Sequence, residues 1–194
     1  MNRITAVTIS VLMLAPLSAQ AQPQAKAPTP APAPAAAPQP GPEHKKLAIW
    51  IGDWTVEGDF KATPIGPAGK LSEKMTARSV LGGFFVEFRG EDKSPWGATQ
   101  WIELDGYDPV AKRFTWYCVG NDGSVTDATY TIDSNNVSYS GTLTVGDKQC
   151  KMRGTMVFAA DFMSIVDKRE ISCDGKTWMP FAEGKSIKSK SSPK

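Results

Sequence analysis

Turn signals at short intervals are the feature that most limits the folds open to this chain. Clusters of Gly, Asn, Asp and Pro interrupt the sequence after residue 52, and their composition is typical of tight hairpin turns. The segments between them alternate apolar and polar residues, as half-buried strands do. These turns are Gly82-Gly83, Asp108-Pro109, Asn121-Asp122-Gly123, Asn135-Asn136, Gly146-Asp147 and Asp174-Gly175. The pattern predicts an all-β domain of about ten antiparallel strands.

The short connections also favour one architecture. Strands joined one after another by hairpins form an up-and-down meander, and closing the meander into a barrel removes its exposed edges. A two-sheet sandwich would need long Greek-key crossings, and no segment here is suited to them. We therefore predict a closed antiparallel up-and-down barrel, whose interior is either filled by side chains or hollow enough for a ligand.

One short helix precedes the barrel. Pro42 suits the first turn of a helix in "GPEHKKLAIWIG", and Gly52 suits its end. The apolar residues of this segment recur at helical spacing: Leu47, Trp50 and Ile51. From Trp54 the period changes to two. The sequence thus predicts a helix packed at the base of the barrel, next to the first strand.

The N-terminus resembles an export signal. Arg3 is followed by an apolar stretch from Ile4 to Leu17, and Ala19-Gln20-Ala21 is a small-x-small cleavage site. An N-terminal anchor helix is the alternative, but the stretch is short for a membrane span. No Cys follows it to carry a lipid. We expect residues 1–21 to be a signal peptide and the mature protein to be periplasmic or secreted.

Three further segments follow from composition. Residues 22–42 alternate Ala and Pro, which predicts an extended disordered linker. Residues 43–184 form the barrel domain, and residues 185–194 are Lys/Ser-rich and predicted to be disordered. For its length the tail carries a disproportionate share of the positive charge, and the domain shows no basic face with interleaved aromatics. Nucleic-acid binding is therefore not expected, and the oligomeric state is left open.

Two cysteines are placed opposite each other by one predicted hairpin. If Asp161-Phe162 is its loop, Cys150 lies opposite Cys173, and Gly154 lies opposite Arg169. In an exported chain this favours a disulfide, with Cys118 left as a buried thiol. A catalytic Cys would need a His partner, and the only His, His44, precedes the strands.

Apolar side chains with a few polar groups are predicted to face the interior. The candidate cavity-lining residues are Phe88, Trp116, Tyr139, Met152, Met156, Asp167 and Arg169. Three accounts of the charged pair remain open: a structural ion pair between Asp167 and Arg169, stacking of Arg169 on Trp54, or Arg169 neutralising an acidic head group. No metal site is expected, since the chain has neither CxxC nor HExxH.

Gly52-Asp53-Trp54 resembles the Gly-x-Trp signature of lipocalins, in the calycin superfamily of lipocalin and nitrobindin-like barrels. More of the chain is similar to a bacterial family called domain of unknown function fifteen-seventy-nine, through "PGPEHKKLAIWIGDWTVEG", "MTARSVLGGFFVEFRGE" and "LDGYDPVAKRFTWYCVGNDG". The resemblance implies a lipocalin-like fold in which Trp54 closes the base under a late-strand Arg, here Arg169. Nitrobindin-like relatives bind haem through a late-strand His. The strands of this chain contain no His, so the resemblance implies no His-ligated haem and no other cofactor.

Three functions remain after this reading. A binding protein would hold a small, mostly apolar or amphipathic molecule in the barrel. A structural or interaction module of the cell envelope would have a filled barrel. An enzyme would use Glu87, Asp167 or Arg169, but their spacing in the sequence is not diagnostic of acid/base catalysis. We expect the first, and we favour a protein without enzymatic activity.

Overall fold

A computed structural model describes residues 37–189. The predicted signal peptide, most of the Ala/Pro-rich linker and residues 190–194 of the predicted tail lie outside the described residues. The chain enters the domain through the α-helix α1 (Pro42–Lys46), which continues as a 3-10 turn (Leu47–Ile49). The predicted short helix is therefore confirmed, with Pro42 in its first turn.

Ten strands follow the helix, and each overlaps a strand predicted from the turn spacing. A second 3-10 turn (Leu81–Gly83) separates the second strand from the third. The strands are β1 (Gly52–Phe60), β2 (Gly69–Val80), β3 (Phe85–Ser94), β4 (Gly97–Asp108), β5 (Arg113–Gly120), β6 (Val125–Asp133), β7 (Asn136–Val145), β8 (Lys148–Phe158), β9 (Ser164–Ser172) and β10 (Met179–Lys188).

The sheet closes on itself. Every strand pairs antiparallel with its neighbours in sequence, and β1 also pairs with β10. Trp54 lies opposite Met75 on β2 and opposite Lys188 on β10. The predicted closed up-and-down barrel is confirmed, and closure leaves no strand with an unpaired edge.

The last strand is longer than its composition indicated. β10 continues to Lys188, beyond the predicted domain end at residue 184. Composition predicts a disordered tail from residue 185, but residues 185–188 pair with residues 54–57 of β1. Ser186 is buried and Ile187 exposed, so the alternation of a strand persists under the Lys-rich composition. The pairing partner in β1, which is distant in sequence, orders these residues.

The predicted register of the β8–β9 hairpin is confirmed: Gly154 lies opposite Arg169 and Met156 opposite Asp167. Its loop is longer than two residues, because the Ala159 N–H donates to the Ser164 carbonyl (2.9 Å). A disulfide joins Cys150 to Cys173 at the far end of this hairpin. Cys118 remains a free thiol.

The helix end of the barrel is closed around one indole. Trp54 is 2% exposed, and its N–H donates to the Trp50 carbonyl (2.7 Å). The Lys188 ammonium lies 4.7 Å from the centre of the Trp54 ring and donates to the Ile49 carbonyl (2.9 Å). Gly52 makes room for this contact: its φ is +148°, and a Cβ there would lie 3.0 Å from the Lys188 side chain.

The expectation that Arg169 covers Trp54 is wrong. Arg169 pairs with Ala182 on β10, whereas Trp54 pairs with Lys188 on the same strand. Six residues of strand separate those two positions, which corresponds to about 20 Å at ~3.3 Å per residue. A cation from the last strand, and not from β9, therefore covers the ring.

Within residues 37–189, no helix is long and apolar enough to cross a membrane.

Replacing Trp54 by Ala should lower the free energy of unfolding by about 3–5 kcal/mol, the usual cost of emptying a buried aromatic site. The change also removes the donor to the Trp50 carbonyl. Urea denaturation followed by circular dichroism measures the effect. Val110→Ala is the control, since Val110 is 92% exposed and its change should stay within about 0.5 kcal/mol. A loss below 1 kcal/mol for Trp54→Ala would contradict the role assigned to the indole.

Candidate ligand cavity

The barrel contains a cavity of about 280 Å³. All ten strands contribute to its wall. Trp50, which follows the N-terminal helix, bounds it at one end. Asp122 and Ser124, in the β5–β6 turn, bound it at the other. The cavity therefore runs along the barrel from the helix end to the opposite end.

Six of the residues predicted to line a cavity lie in its wall: Phe88, Trp116, Tyr139, Met156, Asp167 and Arg169. Met152 does not. It is 0% exposed and belongs to the packed core. It lies between Gly141 and Ile171 in the sheet. Strand alternation predicts that Met152 points inward, but its side chain is packed in the core and does not border the cavity.

Asp167, Arg169 and Tyr139 form one hydrogen-bonded cluster. Arg169 Nη2 lies 3.0 Å from Asp167 Oδ2, and the Tyr139 hydroxyl donates to Asp167 Oδ1 (2.7 Å). Arg169 Nε donates to the same hydroxyl (3.2 Å). Gly154 makes room for this hydroxyl, because a Cβ there would lie 2.2 Å from it.

This cluster decides between two of the accounts left open for the charged pair. The ion pair between Asp167 and Arg169 is present, and stacking of Arg169 on Trp54 is not. Arg169 instead lies over Trp116, 5.4 Å from the ring centre, which is within the range of a cation–π contact.

The sequence reasoning missed six acidic residues of the wall, and three of them lie in the middle strands of the cavity: Glu73 on β2, and Glu103 and Asp105 on β4. The alternation of residues along the strands is a sequence signal that could have placed these three inside. Glu73 alternates in phase with Met75, and Asp105 and Glu103 alternate in phase with Trp101, all of which line the cavity. Applying the period-two rule to acidic residues as well as apolar ones would have placed them inside.

Asp105 lies at the end of a chain of buried hydrogen bonds. The Trp50 indole N–H donates to the Tyr130 hydroxyl (3.2 Å), which donates to Asp105 Oδ2 (2.7 Å). Asp105 is 3% exposed, yet its Oδ1 has no hydrogen-bond partner among the described residues. The same is true of the Trp116 indole nitrogen. The Glu103 carboxyl lies beside both atoms, and together these groups form a polar part of the cavity wall.

Burial changes the ionisation of these acids. It raises the pKa of Asp105 to about 7, although the Tyr130 hydroxyl opposes the shift. Burial, with the charges of Asp92 and Glu103, raises the pKa of Glu73 to about 8. The pKa of Glu103 is also well above its usual value, mainly through burial and then through Asp105. The interior therefore holds carboxyl groups that keep their protons near neutral pH.

Aromatic side chains and the β1–β2 loop lie at the end of the barrel opposite the helix. Phe60 packs against Trp96 and Phe181, with ring centres 4.4 and 5.1 Å away. The Trp96 indole donates to the Ile65 carbonyl of the loop (3.2 Å). Lys148, at the start of β8, donates to the Pro64 carbonyl (2.6 Å). The loop is thus attached both to the β3–β4 turn and to the start of β8.

The residues considered for catalysis are not brought together. Glu87 alternates with the buried Val86 and Phe88, and its carboxylate binds Arg89 on the outer face (2.7 Å). Asp167 and Arg169 face the cavity instead. Cys118 also lines the cavity, but burial, with the charge of Glu103, raises the pKa of its thiol. A protonated thiol is a poor nucleophile.

The raised pKa of Glu73 predicts a pH-dependent stability. A carboxyl whose pKa is higher in the folded state stabilises the fold at low pH, and this contribution is lost as the pH rises from about 4.5 through about 8. Glu73→Gln should therefore leave the free energy of unfolding unchanged at pH 4. At pH 8.5 the substitution should raise the free energy of unfolding by on the order of 2–4 kcal/mol.

Urea titrations across this pH range measure the effect, and Glu91→Gln is the matched control because Glu91 is exposed on the neighbouring strand. Parallel pH profiles for wild type and Glu73→Gln would show that the carboxyl is not buried in the way described.

Solved structures share this barrel. Rv2717c from M. tuberculosis superposes with a TM-score of 0.56 at 10% sequence identity, over 77% of this chain and 99% of that protein. The S-type phycobiliprotein lyase CPES from Guillardia theta superposes with a TM-score of 0.52 at 11% identity, over 77% of this chain and 94% of that one. At such identities the likeness shows a common lipocalin-like fold, and no more.

No curated protein sequence matches the chain. A family model does match, over residues 39–188, which include the helix and all ten strands. The chain therefore belongs to the family described as Protein of unknown function (DUF1579).

Proposed function

We propose that the protein is an exported binding protein whose barrel holds one small amphipathic molecule. The observation that carries this proposal is the cavity of about 280 Å³ in a closed barrel, together with the unpaired Asp105 Oδ1 and Trp116 Nε1 in its wall.

The size and lining of the cavity support a small ligand. Ligand pockets in proteins span about 300–1,000 Å³, and this cavity, at about 280 Å³, is just below that range. Its wall is mostly apolar, with aromatic side chains such as Phe88, Trp101 and Trp116. Burial of an apolar body against these rings would supply affinity, and the few polar atoms would set its orientation.

The shared fold adds little to this proposal. One protein with the same barrel is, by its name, a phycobiliprotein lyase from Guillardia theta. A fold supports many unrelated functions, so neither that activity nor its substrate is transferred to this chain. The proposal depends on the cavity and its side chains.

Binding can be tested with N-phenyl-1-naphthylamine, a neutral apolar fluorophore whose emission rises when it leaves water. We expect the purified protein to bind one equivalent with micromolar Kd. Met156→Trp, which places an indole in the cavity, should raise that Kd by at least about tenfold. Val157→Trp is the matched control, since Val157 is the next residue on β8 and is 42% exposed on the outer face.

Native mass spectrometry of the purified protein gives an independent readout, and we expect a copurified small molecule in wild type that is absent from Met156→Trp. If the wild-type protein shows no probe binding and no copurified molecule, the proposal is contradicted. That result would favour the alternative of a structural or interaction module of the cell envelope.

Export is the second part of the proposal, supported by the apolar stretch and the Ala19-Gln20-Ala21 cleavage site. Expressed in a Gram-negative host with a C-terminal epitope, the chain should be found in the periplasm with Gln22 as its first residue. Leu12→Arg with Leu14→Arg should retain it in the cytoplasm, because two charges interrupt the apolar stretch. A wild-type chain found only in the cytoplasm, with residues 1–21 intact, would contradict export.

A further inference from the structure

Charge is distributed very unequally over the cavity wall. Arg169 is the only basic residue among the residues that line it. Seven acidic residues lie in the same wall: Glu73, Asp92, Glu103, Asp105, Asp122, Asp167 and Glu183. Of these, Glu183 is paired with Lys61 (2.8 Å), which does not line the cavity. An acidic lining of this kind disfavours an anionic ligand and favours a cationic one.

The single cation is already engaged. Arg169 is paired with Asp167 (3.0 Å), bonded to the Tyr139 hydroxyl (3.2 Å) and placed over the Trp116 ring. An anionic head group could reach the guanidinium only by competing with Asp167. It would also approach Glu73 and Glu103. The charge of Arg169 lowers the pKa of both carboxyls, but burial raises each pKa by more. This geometry disfavours an acidic head group at Arg169.

An unpaired acceptor is an independent observation in favour of a donor ligand. Asp105 is almost fully buried and lines the cavity, and among the described residues its Oδ1 has no N–H donor and lies beside the Glu103 carboxyl. Its Oδ2 is held by Tyr130 (2.7 Å), so the orientation of the carboxyl is set. A carboxylate oxygen in this position binds an N–H⁺ donor more strongly than any neutral donor.

The aromatic side chains of the wall add a second form of recognition. The faces of Trp, Tyr and Phe attract cations within about 6 Å of the ring centre. Trp116 lines the cavity between Asp105 and Ala128, its partners on the neighbouring strands.

From this geometry we propose that the occupant is a small organic cation, a protonated amine on an apolar body. Its ammonium group donates to Asp105 Oδ1, near the carboxyls of Glu73 and Glu103, and its body lies against the aromatic wall. This assignment rests on the proposed binding function and narrows it to one chemical class of ligand.

Binding of a cation would be coupled to release of protons. Asp105 is flanked by Glu103 on its own strand and Tyr130 on β6, and Glu73, Asp167 and Arg169 act on the same group of acids. Burial keeps the Glu73 carboxyl largely protonated and the Asp105 carboxyl about half protonated near neutral pH. An ammonium beside them favours the ionised form. The affinity for an amine should therefore rise as the pH increases from about 6 to about 8 and fall above the pKa of the amine itself.

Three compounds of nearly equal size test the proposal: 2-phenylethylamine, 2-phenylethanol and 3-phenylpropionate. Isothermal titration at pH 7.5 should show the amine binding at least about tenfold more tightly than the alcohol, and the carboxylate most weakly. Repeating the amine titration in phosphate and in HEPES, whose ionisation enthalpies differ, should reveal protons released on binding.

Variants then assign the effect to the acids. Asp105→Asn and Glu103→Gln should each weaken amine binding by about tenfold and leave alcohol binding within about twofold. Glu91→Gln, on the outer face of β3, should change neither. If Asp105→Asn does not fold, the three-compound comparison and the proton release in wild type still decide the question.

The outcomes separate the two proposals. Equal binding of amine and alcohol, tighter binding of the carboxylate, or no amine binding while N-phenyl-1-naphthylamine still binds would overturn the cation and leave the binding function in place. Failure of all these compounds and of the fluorophore to bind would remove both.

Discussion

The closing pairing of β1 with β10 is the constraint on which the rest of the structure depends. It satisfies the backbone hydrogen bonds of the first and last strands, and it turns one face of every strand toward a common interior. Alternate residues of each strand must then share that interior. Without closure, the inward side chains of β2, β4 and β9 would not face one another, and the cavity would not exist.

Closure also explains how both ends of the barrel are organised. At the helix end, Trp54 lies between β2 and β10 and is covered by Lys188, while Trp50 reaches Tyr130 across the interior. At the opposite end, the β1–β2 loop is bonded to Trp96 and Lys148. The space between these ends excludes bulk water well enough to raise the pKa of its carboxyl groups. The unusual ionisation of the interior is therefore a consequence of the fold.

The sequence allowed much of the fold to be predicted but less of the site. Strand positions, the initial helix and the register of the β8–β9 hairpin follow from local signals: turn residues and a period of two. Met152 shows the limit of such signals, because alternation indicates which face a residue is on but not whether space remains beside it. Arg169 shows another limit. Its height along the barrel depends on how β9 and β10 are staggered, and no local pattern reports that stagger.

The sequence alone establishes the class of fold, since turn chemistry and strand alternation are properties of neighbouring residues. It also placed Cys150 opposite Cys173, because both belong to one hairpin. The tertiary structure was needed to show which cation covers Trp54 and that residues 185–188 form a strand. It was also needed to show which acidic residues meet in one cavity with Arg169: Glu73, Glu103, Asp105 and Asp167. Those contacts join strands far apart in sequence, and their energies depend on burial, which exists only once the barrel has closed.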